Sequence, residues 1–341
     1  MRRKIAHKYL VLVLIPLLLT GCLFGPEENT TTPIDPPPKE SNQKEDSSAT
    51  ENQSSAVAAD EKSGVELYVK GEEGYLVPYT VGLPRVEGIA KEAISYLVKE
   101  GPSKGLLPKG LNAVLPKGTE VKGINIKDGT ATVDFSQEFL SYKEDEEEDL
   151  LSSITWTLTG FDSIQRVNIQ VNGHPLEVMP KKKTPAQNLT RKSGINLELS
   201  EGVNIGQSMP VILYFLGQLP DNSVVYVPVT RMVNQKDDVA ETVLNELVKG
   251  PKQESGLSSA LAATTKVNSI KIQGDTANAD FGEQILQPGS EQKVSTDAMR
   301  TIVLSLTENT SANKVNITVD GKTNVGSKPA TRPKRINPSD V

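Results

Sequence analysis

The sequence of 341 residues is poor in the side chains that most often carry catalysis or bind metals. It contains one cysteine and only two histidines. A single cysteine excludes an intrachain disulfide and a cysteine metal cluster, and two histidines nearly exclude histidine-based chemistry. Hydrophobic residues make up 36% and aromatic residues 4% of the chain, so part of it is expected to lack a core. The net charge of −6 argues against a nucleic-acid-binding protein, which usually presents a basic face.

Long apolar runs are also scarce. Residues 9–19 are apolar and follow four basic residues, but a bilayer-spanning helix needs about 20 apolar residues. The run ends in Leu19-Thr20-Gly21-Cys22, the lipobox pattern of bacterial lipoproteins. The only cysteine therefore lies where lipidation requires it, and residues 1–22 are predicted to be a lipoprotein signal peptide. Acyl chains on Cys22, palmitate among them, would anchor the mature protein to the outer face of the cytoplasmic membrane.

Residues 23–64 are predicted to be a disordered tether. They contain five prolines, ten Ser/Thr, nine Asp/Glu and only four bulky apolar residues. Such a segment cannot bury enough surface to offset the entropy lost on ordering. A flexible chain of 42 residues reaches about 35–40 Å, so the globular part is expected to stand off the membrane.

The rest of the sequence contains an internal repeat, whose two copies are offset by 146 to 150 residues. Six blocks recur in the same order, which is a strong repeat signal. The blocks begin at Val65/Val211, Leu76/Tyr226, Ile89/Val239, Val121/Val267, Thr130/Thr276 and Val167/Val315. The copies are predicted to span residues 65–180 and 209–327, with a linker at 181–208 and a basic, frayed tail at 328–341.

Each copy is predicted to be a small α+β unit with the order β-β-α-β-β-α-β. Pro78 and Pro228 lie inside the second strand of each copy, which predicts an edge strand because proline cannot donate to a ladder. Asp128-Gly129 and Gly274-Asp275 are typical of two-residue hairpin turns. The hairpins favour a mostly antiparallel sheet.

Two helices per copy are predicted to cover one face of that sheet. Apolar residues recur at helical spacing from Ile89 to Val98 and from Val239 to Leu247. Gly101-Pro102 and Gly250-Pro251 follow these runs as helix stops. The second helices carry a further apolar set, around Trp156 in the first copy. This combination of hairpins and helices defines an α+β fold class.

A few residues are candidates for chemistry, each with a structural alternative. His174, the only histidine after the signal peptide, follows Asn172-Gly173 and is interpreted as a turn residue. Asp134 and Asp280 each precede a phenylalanine at the end of the same strand. They fit an acid or metal ligand, but are better explained by hydrogen bonds to the next turn. No second acidic residue recurs beside them, so no catalytic carboxylate pair emerges.

The acidic run, residues 144–149, precedes the second helix of the first copy and complements the helix dipole. A solvated helix start is the favoured interpretation, and contact with Ca²⁺ or a basic partner is the alternative. Ser290/Lys293 and Ser311/Lys314 match Ser-x-x-Lys without its companion motifs. Gly105 and Gly110 have P-loop spacing, but Leu111 stands where the lysine is required. No catalytic, metal or cofactor site is therefore predicted.

The repeated blocks resemble GerMN domains, a family of sporulation and spore germination. The resemblance rests on Leu-Tyr in the first strand, Leu-Val-Lys before Gly-Pro, Thr-Ala-x-x-Asp-Phe, and Val-Asn-Ile-x-Val-(Asn/Asp)-Gly. It implies modules similar in shape to the ring-building modules of secretion systems, without catalytic residues or cofactors. It also implies a lipoprotein of the mother-cell membrane facing the intermembrane space. Its implied role is non-enzymatic assembly or localisation of a trans-envelope complex between mother cell and forespore.

Two classes of function therefore remain at the level of sequence. The first is a lipid-anchored scaffold whose partners are envelope proteins of that complex, with a ring or another homo-oligomer among the expected assemblies and no nucleic acid. The second is a protein that acts on or binds peptidoglycan, with Asp134 or Asp280 as the acid. A solute-binding protein of a transporter is disfavoured because the copies are strictly sequential.

Overall fold

The structure, a computed structural model, describes residues 62–84, 86–287, 289, 293–322 and 329–337. These residues lie in one compact unit. The predicted signal peptide, the lipidation site Cys22 and the tether up to residue 61 fall outside them. None of the described helices is both long and apolar enough to span a bilayer.

Both repeats run through the same series of elements. The first contains β1 (Lys62–Gly71), β2 (Leu76–Pro84), α1 (Ile89–Ser95), β3 (Leu111–Asn112), β4 (Val121–Lys127), β5 (Thr130–Phe135), α2 (Glu147–Leu158), β6 (Arg166–Val171) and β7 (His174–Pro175). The short strand β8 (Glu198–Leu199) follows. The second repeat contains β9 (Ser208–Gln218), β10 (Val224–Asn234), α3 (Val239–Lys249), β11 (Val267–Gln273), β12 (Thr276–Phe281), α4 (Thr296–Asn309), β13 (Lys314–Val319) and β14 (Ala330–Thr331). The predicted α+β class is confirmed, and so is the β-β-α-β-β-α-β order, to which the structure adds the short strands β3, β7 and β14.

The strands of each repeat divide into two small sheets. In the first repeat the antiparallel pair β1 and β2 is joined by β3, and β4 to β7 form a sheet in sequence order. The second repeat has the sheets β8-β10-β9 and β11-β12-β13-β14. The pairs β5·β6 and β12·β13 are parallel, because a helix crosses between their strands and returns the chain in the same direction.

The hairpin turns have the predicted geometry. Asp128 and Gly129 both have positive φ, 49° and 72°, and join Lys127 to its register partner Thr130. This is the pattern of a type I′ turn, whose twist matches that of the flanking strands. In the second repeat only Gly274, with φ of 60°, has positive φ within the corresponding turn, so the same connection is made with a different turn type.

The helices bury the apolar faces that their spacing predicts. Ile89, Ala93 and Ile94 of α1 are buried, as are Val243, Leu244 and Leu247 of α3. Helices α2 and α4 pack on the long strands β1 and β9 of their own repeats. Helix α3 ends at Gly250, with φ of 80°. Helix α1 ends already at Ser95, before the predicted glycine stop.

The second strand is an edge strand only in the first repeat. Strand β2 lies at the edge of its sheet, as Pro78 predicts. Strand β10 instead lies between β9 and β8, so the edge prediction is wrong for that copy. The added strand pairs with Arg231 and Met232. It therefore begins beyond Pro228 and needs no hydrogen bond from the proline nitrogen.

The segments that follow the repeated blocks pack against both repeats. In the stretch expected to be a linker, Ala186, Leu189 and Ile195 are buried in the core of the first repeat. In the tail expected to be frayed, Ile336 and Asn337 are 2% and 4% exposed. The expectation of a frayed tail is therefore wrong for residues 329–337, because two buried side chains fix this segment between the repeats.

Candidate functional site: the inter-repeat interface

A short motif repeats where the blocks recognised in the sequence have ended. Arg191-Lys-Ser-Gly-Ile195-Asn196 and Arg332-Pro-Lys-Arg-Ile336-Asn337 share the pattern Arg-x-x-x-Ile-Asn at an offset of 141 residues. Just before these segments, Leu189 forms a bridge with Val167 and Ala330 pairs with Val315. The two segments, called the closing segments below, thus occupy equivalent positions in the two repeats.

Each closing segment joins both repeats through its asparagine. Leu76 N–H donates to Asn196 Oδ1 at 2.8 Å, and Asn196 Nδ2 donates to the carbonyl oxygens of Leu76 and Pro228 at 2.8 and 2.7 Å. Asn337 repeats this arrangement: it accepts from Tyr226 N–H at 2.8 Å and donates to the carbonyl oxygens of Tyr226 and Pro78 at 3.0 and 2.7 Å. Each asparagine thus makes the same set of hydrogen bonds, one of them to the other repeat, as at a twofold-symmetric dimer interface.

This arrangement explains why a proline is tolerated at the same position of β2 and β10. Residues 76 and 80 of β2 direct their amides away from β1 and toward the closing segments, since Thr80 N–H donates to Asn337 O at 3.0 Å. Pro78 lies between them, so its missing N–H also faces the closing segment and not the β1 ladder. There its carbonyl needs only a donor, which Asn337 provides. Pro228 is placed in the same way beside Asn196.

The hairpin tip of each repeat also packs on the other repeat. The β9–β10 tip packs on Gly110 of the first repeat, where an added Cβ would lie 2.6 Å from Pro220 Cδ. The β1–β2 tip packs on Gly256 of the second repeat, where an added Cβ would lie 2.7 Å from Glu73 Oε2. Gly110 and Gly256 are equivalent positions at an offset of 146. Both have positive φ, 95° and 71°, which favours glycine.

A charged cluster lies at the centre of the interface. Glu308, whose side chain is 9% exposed, forms ion pairs with Arg191 at 3.2 Å and with Arg332. Tyr214 also donates to Glu308, at 3.1 Å. Tyr68, at the position equivalent to Tyr214, donates to Glu66 at 3.2 Å. The two arginines of the closing segments therefore neutralise one buried carboxylate between the repeats.

Burial and neighbouring charge act in opposite directions on the two glutamates of this cluster. Burial raises the pKa of Glu308, but the adjacent guanidinium groups of Arg332 and Arg191 outweigh it, and the net pKa is lowered. For Glu66 burial prevails, so its pKa is raised despite the N–H of Ile336 that donates to it at 2.8 Å. Burial and the neighbouring carboxylate also raise the pKa of Tyr214. The cluster is thus a strongly coupled, largely buried polar network.

Apolar packing is continuous across the interface. Leu219, Val225 and Val227 of the second repeat belong to the same buried cluster as the core of the first. The guanidinium of Arg191 lies 4.5 Å from the centroid of the Trp156 ring, a cation–π distance. Trp156 Nε1 donates to Gly194 O at 3.1 Å. The two repeats therefore share a core, and their relative position is fixed by packing as well as by hydrogen bonds.

The acidic run is more than a solvated helix start. Glu147 is fully buried and accepts hydrogen bonds from Tyr142 Oη at 2.7 Å, Thr184 Oγ1 at 2.7 Å and Lys182 N at 3.0 Å. Burial raises its pKa, but these donors lower it to about 2. Glu146 and Asp149 pair with Lys99 and Lys70 at 2.8 and 2.6 Å. Glu147 thereby fixes the chain that leads to the first closing segment.

The other candidate residues lie at strand ends and turns. Asp134 accepts from Gly173 N–H at 2.8 Å, and Asp280 accepts from Gly321 N–H at 2.9 Å. Each aspartate does bind a turn, but that turn follows the neighbouring parallel strand, β6 or β13, and is not the next turn in the chain, so the prediction is wrong on this point. His174 is exposed in β7, directly after the turn. Across the described ranges, no group of three His, Cys, Asp or Glu side chains is placed to hold a metal ion.

Comparison with known proteins agrees with the repeat organisation. The family model described as "Germane: Sporulation and spore germination" matches residues 61–177 and again 212–325. The spore germination protein GerM of Bacillus subtilis (strain 168) is 39% identical over 295 residues, which cover 82% of this chain and 80% of GerM.

The solved structure of the tandem GerMN domains of the sporulation protein GerM from Bacillus subtilis is also similar. It has a TM-score of 0.77 and 39% identity, and the match covers 82% of this chain and all of that one. The resemblance to GerMN domains seen in the sequence motifs is confirmed. This chain belongs to the Germane family of sporulation and spore germination.

Proposed function

We propose that this protein is a non-enzymatic scaffold that acts in sporulation and spore germination. The observation that carries the proposal is the family match to both repeats, together with 39% identity to a protein named for spore germination. The scaffold assembles or localises a protein complex of the envelope between mother cell and forespore. Its partners are the envelope proteins of that complex.

The geometry supports a scaffold in a specific way. Polar residues that recur in both repeats hold the repeats together: Asn196 and Asn337 each donate to a carbonyl of the other repeat, and Arg191 pairs with Glu308 of the second. The result is a single body that presents the outer surfaces of both repeats in a fixed relation. Such a body can hold two partners at a set distance, which is what assembly of a complex requires.

The same proposal includes a lipid anchor at Cys22. The lipobox residues Leu19 to Cys22 and the acidic, proline-rich segment that follows support it. Anchoring places the repeats on the outer face of the cytoplasmic membrane, where the mother-cell membrane faces the intermembrane space during sporulation. The 39 residues from 23 to 61, which precede β1, allow them to reach partners about 35 Å away.

The proposal is tested by complementation in a Bacillus subtilis strain that lacks GerM. The full chain is expected to restore heat-resistant spore formation, whereas Cys22→Ser is expected to be released from the membrane fraction and to restore less. In-cell crosslinking during sporulation should yield defined adducts with envelope proteins. A chain that leaves spore counts unchanged and forms no adducts would contradict the scaffold.

The peptidoglycan alternative gives a different result in a separate assay. Purified repeats are incubated with cell wall, and released muropeptides are measured. Release that is lost in Asp134→Asn or Asp280→Asn would replace the scaffold proposal by an enzymatic one. The scaffold predicts no release above that of a heat-denatured sample.

A further inference from the structure

A cleft opens between the exchanged hairpin tips of the two repeats. Its volume is about 340 Å³, at the lower end of the range for ligand pockets. Equivalent residues of the repeats line it in pairs, among them Val77 with Val227 and Gly110 with Gly256. The cleft therefore lies on the pseudo-twofold axis and exists only while the repeats are docked.

The floor of this inter-tip cleft is aliphatic and one wall is aromatic. Val77, Val225 and Val227 are buried at its base. Tyr75 lines it with a partly exposed ring. Burial raises the pKa of Tyr75, and the charges of Glu198 and Glu73 raise it further. Glu73, two residues before Tyr75, lines the same cleft. An aliphatic floor, an aromatic face and a carboxylate thus meet in one small space.

The charge of the lining is of one sign. Glu72 and Glu73 line the cleft, and the lining residues that the structure describes include no lysine or arginine. Both side chains are exposed, and neither has an ion-pair partner within the described part of the chain. The repeats around it carry −7 (residues 65–180, 11 basic and 18 acidic) and −3 (residues 209–327, 10 basic and 13 acidic). This field attracts cationic partners and repels anionic ones.

We propose that the inter-tip cleft binds a lysine or arginine side chain on an apolar segment of a partner protein. The aliphatic stem of that side chain packs on Val77 and Val227, as such stems do on apolar surface. Its cationic head lies between the Tyr75 ring and the carboxylates of Glu72 and Glu73, which combine cation–π attraction with ionic hydrogen bonds. The inference rests on the proposed scaffold function and specifies where on the scaffold a partner docks.

The experiment compares two short peptides on the purified, soluble form of the chain that begins after Cys22. One is acetyl-Gly-Leu-Lys-Leu-Gly-amide, and the other carries glutamine in place of lysine. Binding is followed by chemical-shift changes at low salt. The lysine peptide is expected to bind about tenfold more tightly, with shifts at Tyr75 and Asn222, because charge and cation–π terms are lost with glutamine.

Matched variants locate the effect. Glu72→Gln with Glu73→Gln is expected to reduce the preference for lysine to less than about threefold, and Tyr75→Leu to weaken lysine binding without affecting glutamine binding. Glu144→Gln with Asp145→Asn removes the same charge from exposed residues outside the cleft and is expected to retain the preference. Tryptophan fluorescence of each variant during urea unfolding confirms that it is folded.

Equal binding of the two peptides by the wild-type protein would overturn the inference, as would a preference that survives the change at residues 72 and 73. Either outcome can be distinguished from a failure of the scaffold proposal. A chain that complements spore formation and forms envelope adducts, but shows no preference for lysine, keeps the scaffold and loses the cleft as its docking site. If the double variant complements as the wild type does while lysine preference is lost, the docking role is likewise overturned.

Discussion

Tyr68 and Tyr214 occupy the same position in the first strands of the two repeats. The backbone N–H of Tyr68 donates to Thr157 Oγ1 at 3.1 Å, and that of Tyr214 donates to Ser305 Oγ at 3.0 Å. In the next strand the repeats diverge: Val81 of β2 is replaced at the equivalent position of β10 by Arg231. Both are buried, but one packs in an apolar core and the other in an ion network.

The comparison shows which parts of each repeat contact the other repeat. The elements shared by both copies, Tyr68/Tyr214, Gly110/Gly256 and the closing segments, face the other repeat. The residues that differ between the copies hold the segment that connects the repeats, or stabilise their own repeat. Arg231 connects β8 to α3 through Glu198 at 2.5 Å and Glu246 at 3.1 Å, and Glu147 holds residues 181–184. The two copies are therefore alike where they contact each other, and they differ where they contact the segment that connects them.

The largest expected effect comes from the residue that only the second repeat has. Arg231→Met leaves the largely buried Glu198 without its ion-pair partner and Glu246 with only the exposed Lys249, and is expected to cost about 3–5 kcal/mol of unfolding free energy. Urea unfolding followed by circular dichroism measures it. A triple variant that also carries Glu198→Gln and Glu246→Gln should recover much of the loss. A loss below about 1 kcal/mol in the single variant would contradict a buried ion network here.

Acid should distinguish the two second helices. Glu147 has a pKa of about 2, lowered from 4.5, so its stabilisation is present above pH 4.5 and is lost as the pH falls toward 2. Ser295 stands at the equivalent position of α4 and caps it by accepting from Ala298 N–H at 3.0 Å, without a charge. The protection factors of the α2 amides against exchange should therefore fall over this range more than those of α4. Glu147→Gln should abolish the difference and cost about 2–3 kcal/mol at pH 7. An equal loss of protection in the two helices would contradict the role assigned to Glu147.

The exchanged hairpin tips are tested by a pair of glycines. Gly110 and Gly105 both have positive φ, 95° and 83°, but a Cβ at Gly105 would meet no atom within 4 Å. Alanine at either position costs about 1–2 kcal/mol from backbone strain. Gly110→Ala also forces Pro220 away, which should cost about 1–2 kcal/mol more. Equal stability of the two variants in thermal unfolding would show that this contact is not tight.

The smallest effect is expected at the strand-end aspartates. Asp134→Asn and Asp280→Asn each weaken one hydrogen bond to a turn N–H and should cost about 0.5–1 kcal/mol. Asp280 also accepts from Thr318 Oγ1 at 2.5 Å, so its variant should be the less stable of the two by differential scanning calorimetry. The reverse order would contradict the structural roles assigned to them.

Much of the fold could be predicted from the sequence because each signal was local. Pro78, Asp128-Gly129 and the apolar spacing of α1 and α3 each report on residues a few positions away. The closing segments share only three identities, at an offset of 141 instead of 146 to 150. The shift arises because residues 175–190 of the first repeat have a shorter counterpart in the second. That pattern is too short to stand out beside longer matched blocks.

The interface itself could not be predicted because its partners are far apart in the chain. Asn337 donates to Pro78, 259 residues away, and no periodicity links the two. Glu147 is one of six consecutive acids, and composition gives no reason to expect it to be the buried one. Its role depends on Lys182 and Thr184, which lie 35 and 37 residues further along the chain.

The central claim is that the closing segments unite the repeats into one cooperative body. Asn337→Ala removes the side-chain hydrogen bonds of the tail to Tyr226 of the second repeat and to Pro78 of the first. The single tryptophan, Trp156, reports on the core of the first repeat. Unfolding in urea is followed by Trp156 fluorescence and by amide exchange in β12. Coincident transitions are predicted for the wild type, and in the variant the fluorescence midpoint should fall together with that of β12. A fluorescence transition that is unchanged while β12 is destabilised would contradict the claim.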